Sequence, residues 1–283
     1  MRDLATRLLL VLAVLAPGAL AAQAAPAPAP APFNVLRIYR ETVKPGKASQ
    51  HNAHEEAWAG AIVAANGPTP MLAMTAITGA PENWYITAFP TWADAEKSDK
   101  LYATTAALAA IDKQFNVKED EYLSDGRMMV LTYREDLSYS APLDMATARY
   151  FSVTRVSVRP GHNAEYEANR KATKAAHESI KATDHYGMFQ AAAGAPAGTY
   201  FLFVARASLA DLDQDATIHG PAYLAALGDS VARNKMTANQ ASAIISLQTD
   251  QFAFAPQQSV PAPQWVAAAP GYWKHKMAAK KTP

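Results

Sequence analysis

Displaced by 115 residues, the chain meets its own turns. Val43-Lys44-Pro45-Gly46 falls on Val158-Arg159-Pro160-Gly161, and Gly79-Ala80-Pro81 falls on Gly194-Ala195-Pro196, both without a gap. Arg40 coincides with Arg155 and Tyr85 with Tyr200 at the same displacement. Matches between alanines, such as Ala53 with Ala168, say little in so Ala-rich a chain. Pro-Gly and Gly-Ala-Pro are turn signatures, so two similar units are the simplest description. The length of 283 residues suits two domains of ordinary size.

Each half reads in the same order. Val35 to Val43 is a β-type run, and a helix is expected from about Lys47 to Asn66, stopped by Gly67 and Pro68. Strands follow over 71–78 and 84–89, then a helix capped by Thr91 with Asp94 and running to about Ile111, then a strand over 128–133. The second half gives a strand over 150–158, a helix over 163–183, strands over 187–193 and 200–205, a Ser208 with Asp211 cap, a helix over 221–233 and a strand over 243–249. The order β-α-β-β-α-β, twice over, is the ferredoxin-like split βαβ motif. Helices on one face of four strands leave the other face bare, and two units in one chain can cover each other. The expected fold is therefore α+β: two tandem ferredoxin-like units, residues 34–140 and 149–254, packed sheet to sheet as an intrachain dimeric α/β barrel.

The ends differ from this body. Basic Arg2 and Arg7, the short apolar run Leu8 to Leu20 and a small-residue site near Ala22-Gln23-Ala24 read as a signal peptide over 1–24. The run is short for a bilayer span, and the expected location is periplasmic or secreted. Residues 25–33 form a semi-rigid linker in which 25–32 alternate Ala and Pro. Residues 255–283 are Pro- and Ala-rich, with Lys274, Lys276, Lys280 and Lys281, and are expected to form a disordered basic tail.

Composition removes several classes of function. Lys plus Arg is 26 and Asp plus Glu is 25, so there is no global basic field for nucleic acid, and none is expected as a partner. The absence of Cys excludes thiolate catalysis, cysteine-ligated zinc, iron–sulfur clusters and disulfides. No Gly-rich phosphate loop or Gly-x-Ser-x-Gly elbow is present.

The doubled βαβ-βαβ order, the Pro-Gly turn after each first strand and the segment Trp92-Ala93-Asp94-Ala95-Glu96 after the third resemble the dimeric α/β barrel superfamily, including antibiotic-biosynthesis monooxygenase-like and NIPSNAP-like domains. The resemblance covers roughly Asn34 to Phe254 and concerns architecture, on which many chemistries are built. It implies cofactor-independent oxygenases, haem-using enzymes, isomerases and binding proteins as the range of activities. It carries over no catalytic residue.

Candidate site residues come from the residues themselves. His51, His54 and Glu55 share one side of the first helix with Trp58 and Ile62. Histidines there either pack structurally or transfer protons, and their spacing is not that of a zincin helix, so no metal is expected. His177 stands where Ile62 stands in the first half, a position at which an imidazole must be hydrogen-bonded or functional. His51, His54 and His177 are the catalytic candidates. Arg40 and Arg155 share a strand face with Leu36, Ile38, Phe151 and Val153, where a guanidinium needs a carboxylate or an anionic ligand. With them, Tyr39, Trp58, Tyr85, Tyr200 and His219 are the ligand-binding candidates.

The expected function is an exported protein holding a small apolar or aromatic ligand in an apolar pocket between or beneath the sheets. The alternatives are a cofactor-independent or haem-dependent oxygenase or isomerase, and a structural or interaction protein. Self-association is compatible with each. No cofactor is the simplest expectation, with haem as the variant.

Overall fold

A computed structural model describes residues 33–139 and 143–276, without the side chains at 116–118. The expected signal peptide, nearly all of the linker and residues 277–283 lie outside the described residues. The first half runs β1 (Val35–Val43), α1 (Ala48–Ala64), β2 (Met71–Ala76), β3 (Glu82–Phe89), α2 (Trp92–Thr104), α3 (Ala106–Tyr122) and β4 (Leu123–Tyr133). The second runs β5 (Tyr150–Val158), α4 (Asn163–Ile180), β6 (Tyr186–Ala193), β7 (Thr199–Arg206), α5 (Asp215–Ile218), α6 (Pro221–Ala226), α7 (Ser230–Ala243) and β8 (Ile244–Phe254).

Both Pro-Gly turns place their glycine at positive φ, 77° at Gly46 and 86° at Gly161, a conformation a Cβ would penalise. Thr91 caps α2 through the Asp94 amide, and Ser208 with Asp211 forms a capping box. Several boundaries differ from the sequence reading, among them the helix expected over 221–233, which is two helices, α6 and α7, the second running on to Ala243. The second helical stretch of the first half breaks at Thr105, which is extended, giving α2 and α3. β4 starts earlier than expected, at Leu123, because that extension is largely exposed and lacks an apolar alternation to read, and β8 runs on to Phe254, its extension carrying buried Phe252 and Phe254.

All eight strands enter one closed antiparallel barrel, ordered β1-β3-β2-β8-β5-β7-β6-β4. The two sets of four strands thus join edge to edge, through β2–β8 and β4–β6, rather than stacking face to face. Closure removes the sheet edges and turns one face of every strand inward. That interior is filled by Leu36, Ile38, Met74, Trp84, Leu131, Phe151, Phe189, Phe201, Phe203, Phe252 and Phe254. Trp84 lies 4.8 Å from Phe252, and Phe203 lies 5.4 Å from Phe151, ring centre to ring centre.

The tail also departs from expectation. α8 (Pro263–Ala268) and α9 (Pro270–Trp273) pack on the barrel end where β5 begins and β8 finishes. Trp273 is fully buried there against Phe254, Trp265 and Tyr272, and its indole donates to the Ala146 carbonyl at 3.1 Å. A large aromatic side chain over an apolar barrel end buries enough surface to order the segment that carries it.

The register shows where the halves correspond. In both, the last residue of the first strand sits at a bulge, Val43 against Leu123 and Val158 against Ile244. The third strands are offset differently: Glu41 pairs with Asn83, and Val156 with Tyr200. Tyr200 therefore occupies the place of Asn83, and Tyr85 corresponds to Leu202. The loop Gly194–Gly198 accommodates two extra residues, so the match of Tyr85 with Tyr200 in sequence is not one in space.

Candidate functional site

The strand faces that point away from the barrel interior lie under the helices. In the first half, a cavity of about 330 Å³ opens between the outer face of β1, β2 and β3 and helices α1 and α3. Its walls include Tyr39, Glu41, His54, Glu55, Trp58, Tyr85, Asp112, Phe115 and Glu119. The lining is mixed, aromatic on one part and carboxylic on another, rather than apolar as expected. The pocket lies beneath the sheet and not between sheets.

α1 turns His51, Glu55, Ala59 and Ile62 onto the sheet, so its buried face carries two ionisable side chains. His51 is fully buried, and its Nε2 lies 2.6 Å from Glu41 Oε2, itself 1% exposed. Asn83 Nδ2 reaches His51 Nδ1 at 3.1 Å. With the amide so placed, Nδ1 accepts and Nε2–H donates to Glu41; turning the amide presents its oxygen and accommodates the imidazolium. Burial pulls the His51 pKa down, but the hydrogen bond and charge of Glu41, with the charge of Glu55, outweigh it and leave it raised. His51 stands behind the cavity wall and positions Glu41, which faces the cavity.

Two further carboxyls are held toward their neutral forms. Burial, and then the Glu41 charge, push Glu55 up to about 8. Burial and the charge of Glu41 push Glu119 up to about 7, and a hydrogen bond between the two carboxyls adds to this. Glu119 is therefore poised between its two forms near neutral pH, hydrogen-bonded to Glu41, beside a Glu55 that keeps its proton. The Tyr39 phenol is raised to about 12 and that of Tyr85 well above 10, both chiefly by burial, so both stay protonated donors. A Cβ on Gly126 would come within 2.5 Å of the Tyr39 hydroxyl, so that glycine makes room for it. His54 lines the cavity with its ring 5.2 Å from Phe115 and 5.5 Å from Tyr122, and the Trp58 indole donates to Asp112 at 3.4 Å.

The structure thus brings together Tyr39, His51, His54, Trp58 and Tyr85 among the expected residues. It places the others elsewhere. Arg40 does point along the barrel interior, at the end opposite Trp273, where Glu82 takes its guanidinium at 2.6 Å and Trp84 lies beneath it. Arg155, its counterpart, bonds Gln248 at 3.2 Å. Tyr200 donates to Glu167 under α4 at 2.7 Å, and His177 and His219 form a separate cluster in the second half. The sequence reading named Glu55 only beside the histidines and missed Glu41, Asn83, Asp112 and Glu119. Glu41 directly follows Arg40 in a strand, and strand alternation could have placed it on the helix-facing side with Tyr39.

In the second half the same positions carry Val156, Tyr166 and Tyr200 in place of Glu41, His51 and Asn83. Tyr166 and Tyr200 pack ring to ring at 4.8 Å, so the ionisable cluster belongs to the first half.

A haem does not fit this cavity. Its volume lies at the low end of small-molecule pockets, and the carboxyl wall would oppose the propionates.

As a sequence, the chain matches no family model and none of the curated proteins. As a structure, it is similar to a protein provisionally titled a monooxygenase from Lactobacillus acidophilus NCFM, at 10% identity and a TM-score of 0.50, over 79% of this chain and 94% of that one. It is equally similar to one from Fusobacterium nucleatum subsp. nucleatum with the same provisional title, at 10% identity and a TM-score of 0.50, over 78% and 92%. At such identities the likeness is one of fold: an α+β protein with a closed eight-stranded antiparallel barrel.

Proposed function

We propose that this chain binds a small, weakly acidic aromatic molecule in the cavity under α1 and α3 and exchanges a proton with it. The observation that carries the reading is the pairing of an aromatic wall, Trp58, Phe115 and Tyr85, with two carboxyls whose pKa values are raised to about 7 and about 8. A base that works near neutral pH needs its proton affinity there. Glu119, hydrogen-bonded to Glu41, is the group poised to take a proton from a bound hydroxyl. The buried His51 balances the charge on Glu41, and protonated Glu55, Tyr39 and Tyr85 can donate to an anionic oxygen.

We read the architecture behind it as two tandem ferredoxin-like units of a dimeric α/β barrel, descended from one duplicated half. The shared element order, the paired Pro-Gly turns and the two matching bulges support this. The N-terminal pattern over 1–24 supports export to the periplasm or beyond. The provisional monooxygenase titles of the two fold neighbours favour an oxygenase as the enzyme form of the same site, and we take the cofactor-independent form. Removing a proton raises electron density on the ligand, on which a cofactor-free reaction with dioxygen depends.

Calorimetric titration with naphthols and hydroxyquinolines, repeated in buffers of different ionisation enthalpy, tests the reading. Saturable binding with a fractional proton exchanged near neutral pH is expected, with the exchange lost in Glu119→Gln. Binding of no compound, or binding without proton exchange, would contradict it. Oxygen uptake by the same mixtures separates the oxygenase from the binding protein.

A further inference from the structure

A second group of ionisable side chains, unused by the cavity, lies in the other half. His177 is in the last turn of α4 and 2% exposed, Asp184 follows in the loop to β6, and exposed His219 ends α5. His177 Nδ1 donates to the Thr173 carbonyl at 2.8 Å, and His219 Nδ1 donates to the Asp215 carbonyl at 2.9 Å. Carbonyls only accept, so in both rings Nδ1 carries the proton and Nε2 is the nitrogen left for another partner.

His177 Nε2 lies 3.2 Å from Asp184 Oδ2, and one ligating atom from each of His177, Asp184 and His219 lies within 4.8 Å of the others. Ligands at about 2.0 Å from a tetrahedral zinc stand roughly 3.3 Å apart, so the first pair is already at coordination spacing. His219, on a short exposed helix, can close the remaining gap. The other Asp184 oxygen, Oδ1, is buried without a hydrogen-bond partner, and so is the hydroxyl of Tyr186, whose ring stands edge-on to His177 at 5.4 Å. A buried carboxylate oxygen without a donor is destabilising, and a cation beside it removes that cost.

We propose that His177, Asp184 and His219 bind one divalent transition-metal cation through two imidazole Nε2 atoms and a carboxylate. Histidines that ligate metals are held by a hydrogen bond at the other ring nitrogen, and both rings here have one to a backbone carbonyl. Mixed imidazole and carboxylate donors suit zinc, cobalt, nickel or iron(II) rather than calcium or magnesium. Three protein ligands leave at least one coordination position, and the exposure of His219 directs it to solvent. The site is peculiar to the second half: the residues 115 positions earlier are Ile62 and Thr69, and Thr69 is bonded to Ser98. It departs from the sequence expectation of no metal because the three donors come from α4, a loop and α5, with no motif spacing between them.

The test is cobalt(II) titration of the EDTA-treated full chain, followed by visible d–d absorption, with zinc(II) in competition. His219→Ala removes an exposed ligand and spares the core, and Asp184→Asn keeps the side-chain volume. Glu55→Gln controls for Glu41, His51 and Glu55, which also bring three ligating atoms together. One equivalent of cobalt should bind, displaced by zinc. His219→Ala and Asp184→Asn should weaken binding at least about tenfold, Glu55→Gln should leave it unchanged, and zinc should raise Tm in the wild type and in Glu55→Gln but less in the two ligand variants. Absence of d–d bands, affinity unaltered in both variants, or loss in Glu55→Gln would overturn the proposal and leave His177 and Asp184 as an ion pair.

Discussion

At the scale of single residues, the first-half cavity is a place where charge is kept low by burial. A carboxyl whose folded pKa lies above its unfolded value holds a proton that the unfolded chain has released. For Glu55, raised from 4.5 to about 8, stability therefore falls as pH rises through that window. One such group tilts stability by at most about 1.4 kcal/mol per pH unit. His51, also raised, contributes in the same sense: its stabilisation is complete below 6.5 and lost as pH rises through its folded value. Glu55→Gln should thus leave stability near pH 4.5 unchanged and raise it by about 1 kcal/mol or more at pH 8, read by urea unfolding across pH. A pH slope equal in the two proteins would contradict a protonated Glu55. His51→Ala takes the partner from a carboxylate that is 1% exposed, and should cost about 3–5 kcal/mol in the same assay.

At the scale of elements, the two seams that close the barrel make a contrasting pair. Gly79 and Gly194 both sit at positive φ, 81° and 75°, beside the β2–β8 and β4–β6 seams. A Cβ on Gly79 would meet the Asp250 carboxylate, which can swing away, whereas one on Gly194 would meet the Met128 carbonyl and the Met129 backbone. Both alanine variants bear the left-handed strain of about 1 kcal/mol, and Gly194→Ala should cost more by a further 1–3 kcal/mol, measured as the difference in unfolding free energy. Equal costs would mean that the β4–β6 seam has slack. These elements also show what the sequence could tell. The strands, the Pro-Gly turns and both caps follow from local residue chemistry and were legible. The third-strand offset was not, because Tyr85 and Tyr200 keep a sequence match while the longer Gly194–Gly198 loop slides one strand against its neighbour. Glu41 and Glu119 were missed because a buried or half-buried carboxyl on a strand or helix looks like surface until its partner, ten or more residues away, is in place.

At the scale of the whole molecule, edge-to-edge closure decides where a ligand can go. It fills the barrel with phenylalanines and moves the open volume outward, under the helices. The tail completes the filling, since Trp273 covers one end. Trp273→Ala should cost about 3–5 kcal/mol and lower Tm by many degrees, and removing residues 255–283 should do at least as much. A truncated chain as stable as the full one would show that the tail only rests on the barrel.

The most direct test of the central claim, that protonated carboxyls line the first-half cavity at neutral pH, is a carbon-13 NMR titration of the glutamate side-chain carboxyls. Two should titrate near pH 7 and pH 8 and disappear in Glu119→Gln and Glu55→Gln respectively. If every glutamate instead titrates near the ordinary value of about 4.3, the cavity holds bare charges and the proton-exchange account fails.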